Sequence, residues 1–457
     1  TYANDADGDG MPNGFEWTHG LNSWVNDANS DIDSDGLNNL AEWTFGTDPT
    51  HVDTDDDGVT DFTEIEEGFL PADYRDQRPI CLIAGSKWVL PGDQVVLNSS
   101  ESTDPNGLPL SRTWRLSVPT GSTLSSVESP ASTVAEWTPD VVGDWIATLT
   151  VDNGKISTEC SWQVEVLESW VVPDDFDTIQ LALDNATDND QIAVRPGVYK
   201  EVLNPNGVSV YLIGLGHSND VVIDAENADS VLKLENEETV TLRNLTLQGG
   251  HAEQGGGIYV GPGAHLTTQH LRLQQNMATE CGGALYTEGG QLQLYDTLIQ
   301  QNTGNECGGG LASYNATIYA ERVQFWNNRS YGVGGAIHIE KGGRQHFHNA
   351  WIQDNTAMQS SSIYRDVSSG FPAHFVNSAI ITNASDESTL HIDRGHLALI
   401  SSIVAYNKGT SDVFVHDKGV FSPLYNMADS IGTLSDQAGN VVGEPHFALW
   451  SNDGNPQ

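Results

Sequence analysis

Basic residues are scarce in this chain of 457 residues: 19 lysines and arginines stand against 63 acids, a formal net charge of −44. A protein this acidic has no basic face with which to neutralise phosphates, which excludes nucleic acid as a partner. The charge suits a protein that stays soluble in salt and gathers cations. Long apolar runs are also missing: no stretch reaches the roughly 18 residues that a membrane-spanning helix needs. Cysteine is sparse, and its four residues fall into two pairs, Cys81 with Cys160 and Cys281 with Cys307. That usage suits an oxidising compartment. The chain begins at Thr1 without methionine, as a processed form does.

What is plentiful is glycine, with 46 residues, and turn-forming sequence between short apolar stretches. The length predicts two to four domains. The first 70 residues hold 18 acids and no lysine or arginine, and the acids keep a strict spacing. DADGDGMPNGFE from Asp5, DIDSDGLNNLAE from Asp31 and DTDDDGVTDFTE from Asp53 all fit D-x-D-x-D-G-x5-E. Ca²⁺ takes six to eight oxygens, and this pattern offers side chains at positions 1, 3, 5, 9 and 12, a backbone carbonyl at 7, and a glycine for the sharp turn at 6. The predicted ligands are Asp5, Asp7, Asp9, Met11, Asn13 and Glu16; Asp31, Asp33, Asp35, Leu37, Asn39 and Glu42; Asp53, Asp55, Asp57, Val59, Asp61 and Glu64. With EWTHG and EWTFG following two of the loops, and no long flanking helices, roughly residues 1–70 of a predicted calcium-binding segment 1–77 resemble bacterial thrombospondin type 3 repeats. The resemblance implies a calcium-filled rod in which metal stands in for a hydrophobic core.

Residues 78–168 change to short alternating strands, PICLIAG, DQVVLNSS, SRTWRLSV, STVAEWTP, DWIATLTVDNG and TECSWQVEV, which predict a β-sandwich. SSESTDPNGLPLSRTWRL and VVGDWIATLTVDNG resemble the polycystic-kidney-disease type of immunoglobulin-like domain. In that fold the first and last strands are neighbours, so the resemblance implies a Cys81–Cys160 disulfide. Trp114, Trp137, Trp145 and Trp162 read as core aromatics in preference to sugar-stacking platforms.

Residues 169–457 open with FDTIQLALDNA, whose Ile179, Ala182, Leu183 and Ala186 lie at helical spacing. DQIAVRPGVYKE then supplies strand, turn and strand. The pair resembles the cap helix and first coil of secreted right-handed parallel β-helix proteins of the pectate lyase type. A repeat near 26 residues follows. Asn276, Asn302, Asn328, Asn355, Asn383 and Asn407 recur, each three residues after an apolar side chain: Leu273, Ile299, Phe325, Ile352, Ile380 and Val404. One coil of a parallel β-helix has about this length, and the asparagines are expected to stack as an internal ladder. The overall expectation is an all-β chain: a right-handed, single-stranded parallel β-helix preceded by a β-sandwich and a calcium-loop rod.

GGGIY, GGALY, GGGLA and GGAIH mark one corner of four consecutive coils, where glycine supplies backbone angles or closeness that a Cβ forbids. The same register stacks Cys281 over Cys307, within reach of a disulfide whose formation spacing leaves open. It also stacks Glu253, Glu280 and Glu306. Adjacent carboxylates repel, and three readings stay open: splayed into solvent, bridged by Ca²⁺, or catalytic.

Between His338 and His396 the acidic chain gathers Lys341, Arg344, His346, His348, Arg365, His374, His391 and Arg394. His338, Arg344, His348 and Arg394 are candidate contacts to an anionic glycan. Lys341, Arg365 and His391 are the candidates for proton abstraction, should the chain be a polysaccharide lyase. ISSIVAYNKG and GNVVGEPHFALWSNDGNPQ resemble the last coils of bacterial surface β-helix proteins, with a further short segment expected beyond Gln457. The sequence thus points to an extracellular or bacterial cell-surface protein that uses Ca²⁺ and whose β-helix binds a polysaccharide or other cell-surface component without catalysis. Its alternatives are a calcium-dependent lyase or hydrolase and a self-associating structural subunit.

Overall fold

Alternation of apolar and polar residues at period two dominates the chain, and the computed structural model is accordingly almost all β. It describes residues 4–442 apart from 57, 73–77, 106, 125–127, 131, 359–361, 368–370, 386–387, 406, 409–410, 425–426 and 429–440. The C-terminal EPHF stretch and Asp57 therefore lie outside the described residues. Two compact units divide the chain, Thr1–Val166 and Leu167–Gln457.

In the first unit each acidic loop runs into a short helix: Asn13–Thr18, Asn39–Phe45 and Asp61–Glu67. The last two stop at Gly46 and Gly68, both left-handed, which is where a C-terminal glycine ends a helix. The segment is not coreless. Met11, Leu21 and Ala28 are buried together, with Phe15 and Leu40 packed against them.

Two sheets follow. One pairs Ala84–Gly85, Val95–Asn98 and Val134–Trp137; the other runs Trp88–Val89, Ser157–Val166, Gly143–Asp152, Ser111–Ser117, Glu128–Pro130. Strict alternation along Gly143–Asp152 turns Trp145, Ala147, Leu149 and Val151 into the core. Trp114 and Trp137 are buried there too, and Trp162 is partly buried against them. Cys81 and Cys160 form a disulfide.

The second unit is a parallel β-solenoid. The helix Ile179–Asn185 precedes its coils, capped by the Thr178 hydroxyl, which accepts a hydrogen bond from Leu181 N–H. Its Ile179, Ala182 and Leu183 join the solenoid core. A full coil is made of four strands, for example Leu285–Glu288, Gln291–Tyr295, Leu298–Gln300 and Thr303–Gly304. Each strand pairs in parallel with its counterparts one coil before and one coil after. We call the four stacks the first to fourth ladders. The inward column of the first runs Leu232, Ile258, Leu285, Leu311, Ile337, Ile363, Leu390. That of the third, an 11-stranded sheet, includes Leu247, Leu273, Ile299, Phe325, Ile352, Ile380 and Val404. Phe347 and Phe375 stack at 4.6 Å within the second ladder's inward column, each fully buried and each worth about 1.5–3 kcal/mol in removed apolar surface.

The asparagine ladder forms as expected. From Asn276 to Asn407, each side-chain amide nitrogen donates to the carbonyl of an inward residue one coil back. From Asn276 to Asn383, it also donates to the amide oxygen of the next asparagine. The residue before each ladder asparagine through Asn383 (Gln275, Gln301, Asn327, Asp354 and Thr382) has positive φ, so a single left-handed residue turns the chain from the third ladder to the fourth. At the glycine corner the two leading glycines have separate duties. Gly282 has φ of +75°, whereas a Cβ on Gly283 would lie 2.4 Å from the carbonyl oxygen of Gly309 in the next coil.

Candidate functional site

The acidic loops share a local fold, and in the first two the aspartates at positions one, three and five bring their oxygens together. The first aspartate of each loop accepts the N–H of the glycine at position six: Gly10 to Asp5 at 3.0 Å, Gly36 to Asp31 at 3.2 Å, Gly58 to Asp53 at 2.7 Å. Position twelve falls inside the short helix that follows, and this swings Glu16, Glu42 and Glu64 back into the structure, each almost fully buried. Both carboxylate oxygens of Glu16 and of Glu42 lack a hydrogen-bond donor among the described residues. Burial, reinforced by Asp7, Asp9, Asp27 and Asp5, pushes the Glu16 carboxyl up to about 7. Burial with Asp33, Asp35, Asp61 and Asp31 around it pushes Glu42 up to about 8. Buried carboxylates without donors and crowded by other carboxylates are costly alone; a hard, oxygen-seeking cation fits this donor set.

Ligand atoms of Asp5, Asp7 and Asp9 lie within 4.8 Å of one another, as do those of Asp31, Asp33 and Asp35. Asp9, Glu16 and Asp27 form a further group. Asp27 lies outside the twelve-residue pattern, in the connection before the second loop, and only tertiary structure brings it in; its backbone N–H donates to Asp9 Oδ2. At position nine the side chains brace the loops: Asn13 accepts from Ala6 N–H, Asn39 donates to the Asp27 carbonyl, and Asp61 accepts from the N–H and hydroxyl of Thr54. At position seven, Met11, Leu37 and Val59 bury their side chains.

On the solenoid, Cys281 and Cys307 are bonded, with Cα atoms 4.6 Å apart. They pack with Tyr259, Tyr286, Ala312 and Tyr314 in a small cluster separate from the solenoid core. Glu253, Glu280 and Glu306 do not converge into a group with ligand atoms within 4.8 Å. Glu253 and Glu306 are exposed, and Glu280 accepts a hydrogen bond from the Gln254 amide. The register shifts between Ala252 and Gln254, which absorbs the 27-residue step from Glu253 to Glu280 where the step on to Glu306 is 26.

The basic and histidine residues that crowd together in sequence divide three ways. Strand parity turns Arg365 inward, between Ile339 and Ile392 in the first ladder, and it is fully buried. Its guanidinium donates to Gln345 Oε1 at 2.9 Å and to the Phe371 carbonyl at 2.7 Å. Burial lowers its pKa to about 10, so it stays charged at neutral pH. Arg365 is thus part of the solenoid interior, and the expectation that it abstracts a proton from a bound polymer is corrected.

His338, Tyr364 and His391 form an outward column of the first ladder on three successive coils. The His338 and Tyr364 rings stack at 5.2 Å and 6°, those of Tyr364 and His391 at 4.9 Å and 26°. Beside them His338 Nε2 lies 3.7 Å from Glu340, which lowers the Glu340 carboxyl's pKa. Arg394 donates to Asp366 at 2.6 Å. Lys341 contacts the Tyr314 hydroxyl, its ammonium 4.5 Å from the ring centre.

Arg344, His346, His348 and His374 belong to another face, the outside of the second ladder. Arg344 lies over the Phe371 ring at 4.0 Å. Tyr295, Tyr319 and His348 follow one another there at 5.8 Å spacings. Burial lowers the pKa of both His346 and His374, and neighbouring histidines add to the shift.

No helix among the described residues is long and apolar enough to cross a membrane. Compared with known proteins, the chain matches no family model and shows no significant sequence similarity to a curated protein.

Proposed function

We propose that this is a calcium-stabilised, extracellular or cell-surface protein whose β-solenoid binds a glycan on the outer face of the first ladder, without cleaving it. The observation that carries this reading is the stack of His338, Tyr364 and His391 over three coils, with Lys341 and Arg394 beside it. The rings stack on one another along the solenoid, so an extended polymer laid along it meets imidazole and phenol edges, with their polar atoms, once per coil spacing of about 4.8 Å. Ring edges of this kind offer hydrogen bonds to sugar hydroxyls, and the cationic side chains favour acidic sugars. Calcium, held by the acidic loops, would neutralise their mutual repulsion. The local resemblances to thrombospondin type 3 repeats, to the polycystic-kidney-disease type of domain and to the pectate lyase type of β-helix support an extracellular, modular setting.

A lyase reading draws on the same face, because the His338–Glu340 pair and the Tyr314–Lys341 contact place acid–base groups beside the stack. One experiment separates the two. The full chain is incubated in Ca²⁺ with a panel of acidic and neutral polysaccharides, and retention, ultraviolet absorbance and chain length are followed together. Retention of intact polymer, weakened by Tyr364→Ala, supports binding. Rising absorbance with shortening establishes elimination, shortening alone establishes hydrolysis, and no retention of any polymer overturns the glycan reading.

A further inference from the structure

We infer that the outer face of the second ladder holds a site for a transition-metal ion of the zinc type, built from His346, His374 and His348. Two of these residues come from one strand and one from the next coil. His346 and His348 are two residues apart and therefore on one face of Gln345–His348, and His374 lies directly opposite His346 in the parallel register. The rings of His346 and His374 sit 4.7 Å apart at 85°, and those of His346 and His348 at 6.4 Å and 16°. The first pair is already at a separation that a shared ion with metal–nitrogen bonds of about 2.0–2.1 Å can span. The three rings do not converge within 4.8 Å, so binding would require His348 to turn toward the His346–His374 pair.

Nothing else in the fold uses these rings as hydrogen-bonding groups. Among the described residues none of the three imidazoles has a hydrogen-bond partner, and all three rings are only partly buried. His396, two residues before the first strand position after Ala373 in register, approaches the same group from the following coil. An all-nitrogen donor set selects zinc, copper or nickel and rejects calcium, which demands oxygen. The site is thereby chemically distinct from the acidic loops. The strongly negative chain draws cations to its surface, while Arg344, adjacent to Gln345, opposes them locally.

The test is calorimetric titration of the full chain with Zn²⁺ in millimolar Ca²⁺, which saturates oxygen-rich sites, repeated with Co²⁺ to read nitrogen coordination from its visible spectrum. The expected result is one high-affinity ion per chain. His346→Asn and His374→Asn should each weaken it by more than about tenfold and alter the Co²⁺ spectrum. His217→Asn, at an exposed residue far along the chain, should leave both unchanged, and Arg344→Ala should tighten binding by removing a repelling charge. Circular dichroism of each variant verifies that the solenoid is intact. Absence of a saturable Zn²⁺ site under these conditions, or a site unaffected by both His346→Asn and His374→Asn, overturns the proposal.

Discussion

Asn276 donates both its backbone N–H and its side-chain amide to the one amide oxygen of Asn302, at 3.0 and 3.1 Å. Asn302 repeats this toward Asn328, and its amide also donates to the Leu273 carbonyl one coil back. A leucine at 302 has the right size for the column but no polar atom. It orphans two donors of Asn276 and one carbonyl in a dry interior, each at about 1–3 kcal/mol. Asn302→Leu should therefore lower the unfolding free energy by more than about 2 kcal/mol in urea titration. An unchanged midpoint would show that the ladder contributes nothing to stability.

The glycine corner makes a steric prediction. A methyl group on Gly283 would meet the Gly309 and Thr303 carbonyls at 2.4–2.5 Å, and both belong to backbone that the next coil holds in register. Gly283→Ala should cost about 1–3 kcal/mol, as overpacking does. Thr279→Ala, at an exposed position of the same coil, should stay within about 0.5 kcal/mol. Equal melting temperatures for the two variants would refute the crowding.

Coil period, ladder and corner are legible in sequence because each is set by a contact between residues one coil apart, so the spacing of Asn276, Asn302 and Asn328 is itself the structural repeat. The acidic loops are legible for a related reason: their geometry is local to twelve residues. What spacing conceals is parity and tertiary approach. Lys341, Arg365 and His391 look alike as a basic cluster, yet one step along a strand exchanges outside for inside, and Arg365 falls on the inner step between Tyr364 and Asp366. The pattern Ile363-Tyr364-Arg365 carries that signal, had its alternation been weighed above its charge. Asp27 carries no such signal, since it reaches Asp9 and Glu16 only across the connection between two loops. For the glutamates, spacing leaves the direction of each side chain open: Glu253 and Glu306 are exposed, and Glu280 accepts from the Gln254 amide.

Arg365 yields the sharpest separation of structure from chemistry. Arg365→Ala removes the donors to Gln345 Oε1 and the Phe371 carbonyl and opens a cavity beneath Ile339 and Ile392. A loss of about 2–4 kcal/mol follows from the two effects together. The folded fraction should retain glycan as the parent does, because the side chain does not reach the outer face. Unaltered stability with lost retention would return Arg365 to the binding surface and contradict its burial.

Calcium removal tests the acidic loops in a way that their repulsion makes two-sided. Chelation leaves Glu42 buried beside Asp33, Asp35, Asp61 and Asp31 without a compensating charge, so amide protection should fall across residues 4–70 while the solenoid's circular dichroism persists. Glu42→Gln removes one member of that crowd. With calcium present it should weaken ion binding by at least about tenfold, since a neutral amide offers one oxygen in place of a two-oxygen carboxylate. With chelator present and the pH raised above about 8, where apo Glu42 ionises, it should instead gain protection over the parent chain, because the apo loop then carries less buried like charge. Hydrogen exchange with and without calcium reads both signs in one experiment. Loss of protection in both conditions would make Glu42 a packing residue, and equal loss from the solenoid on chelation would show that the ion supports both units.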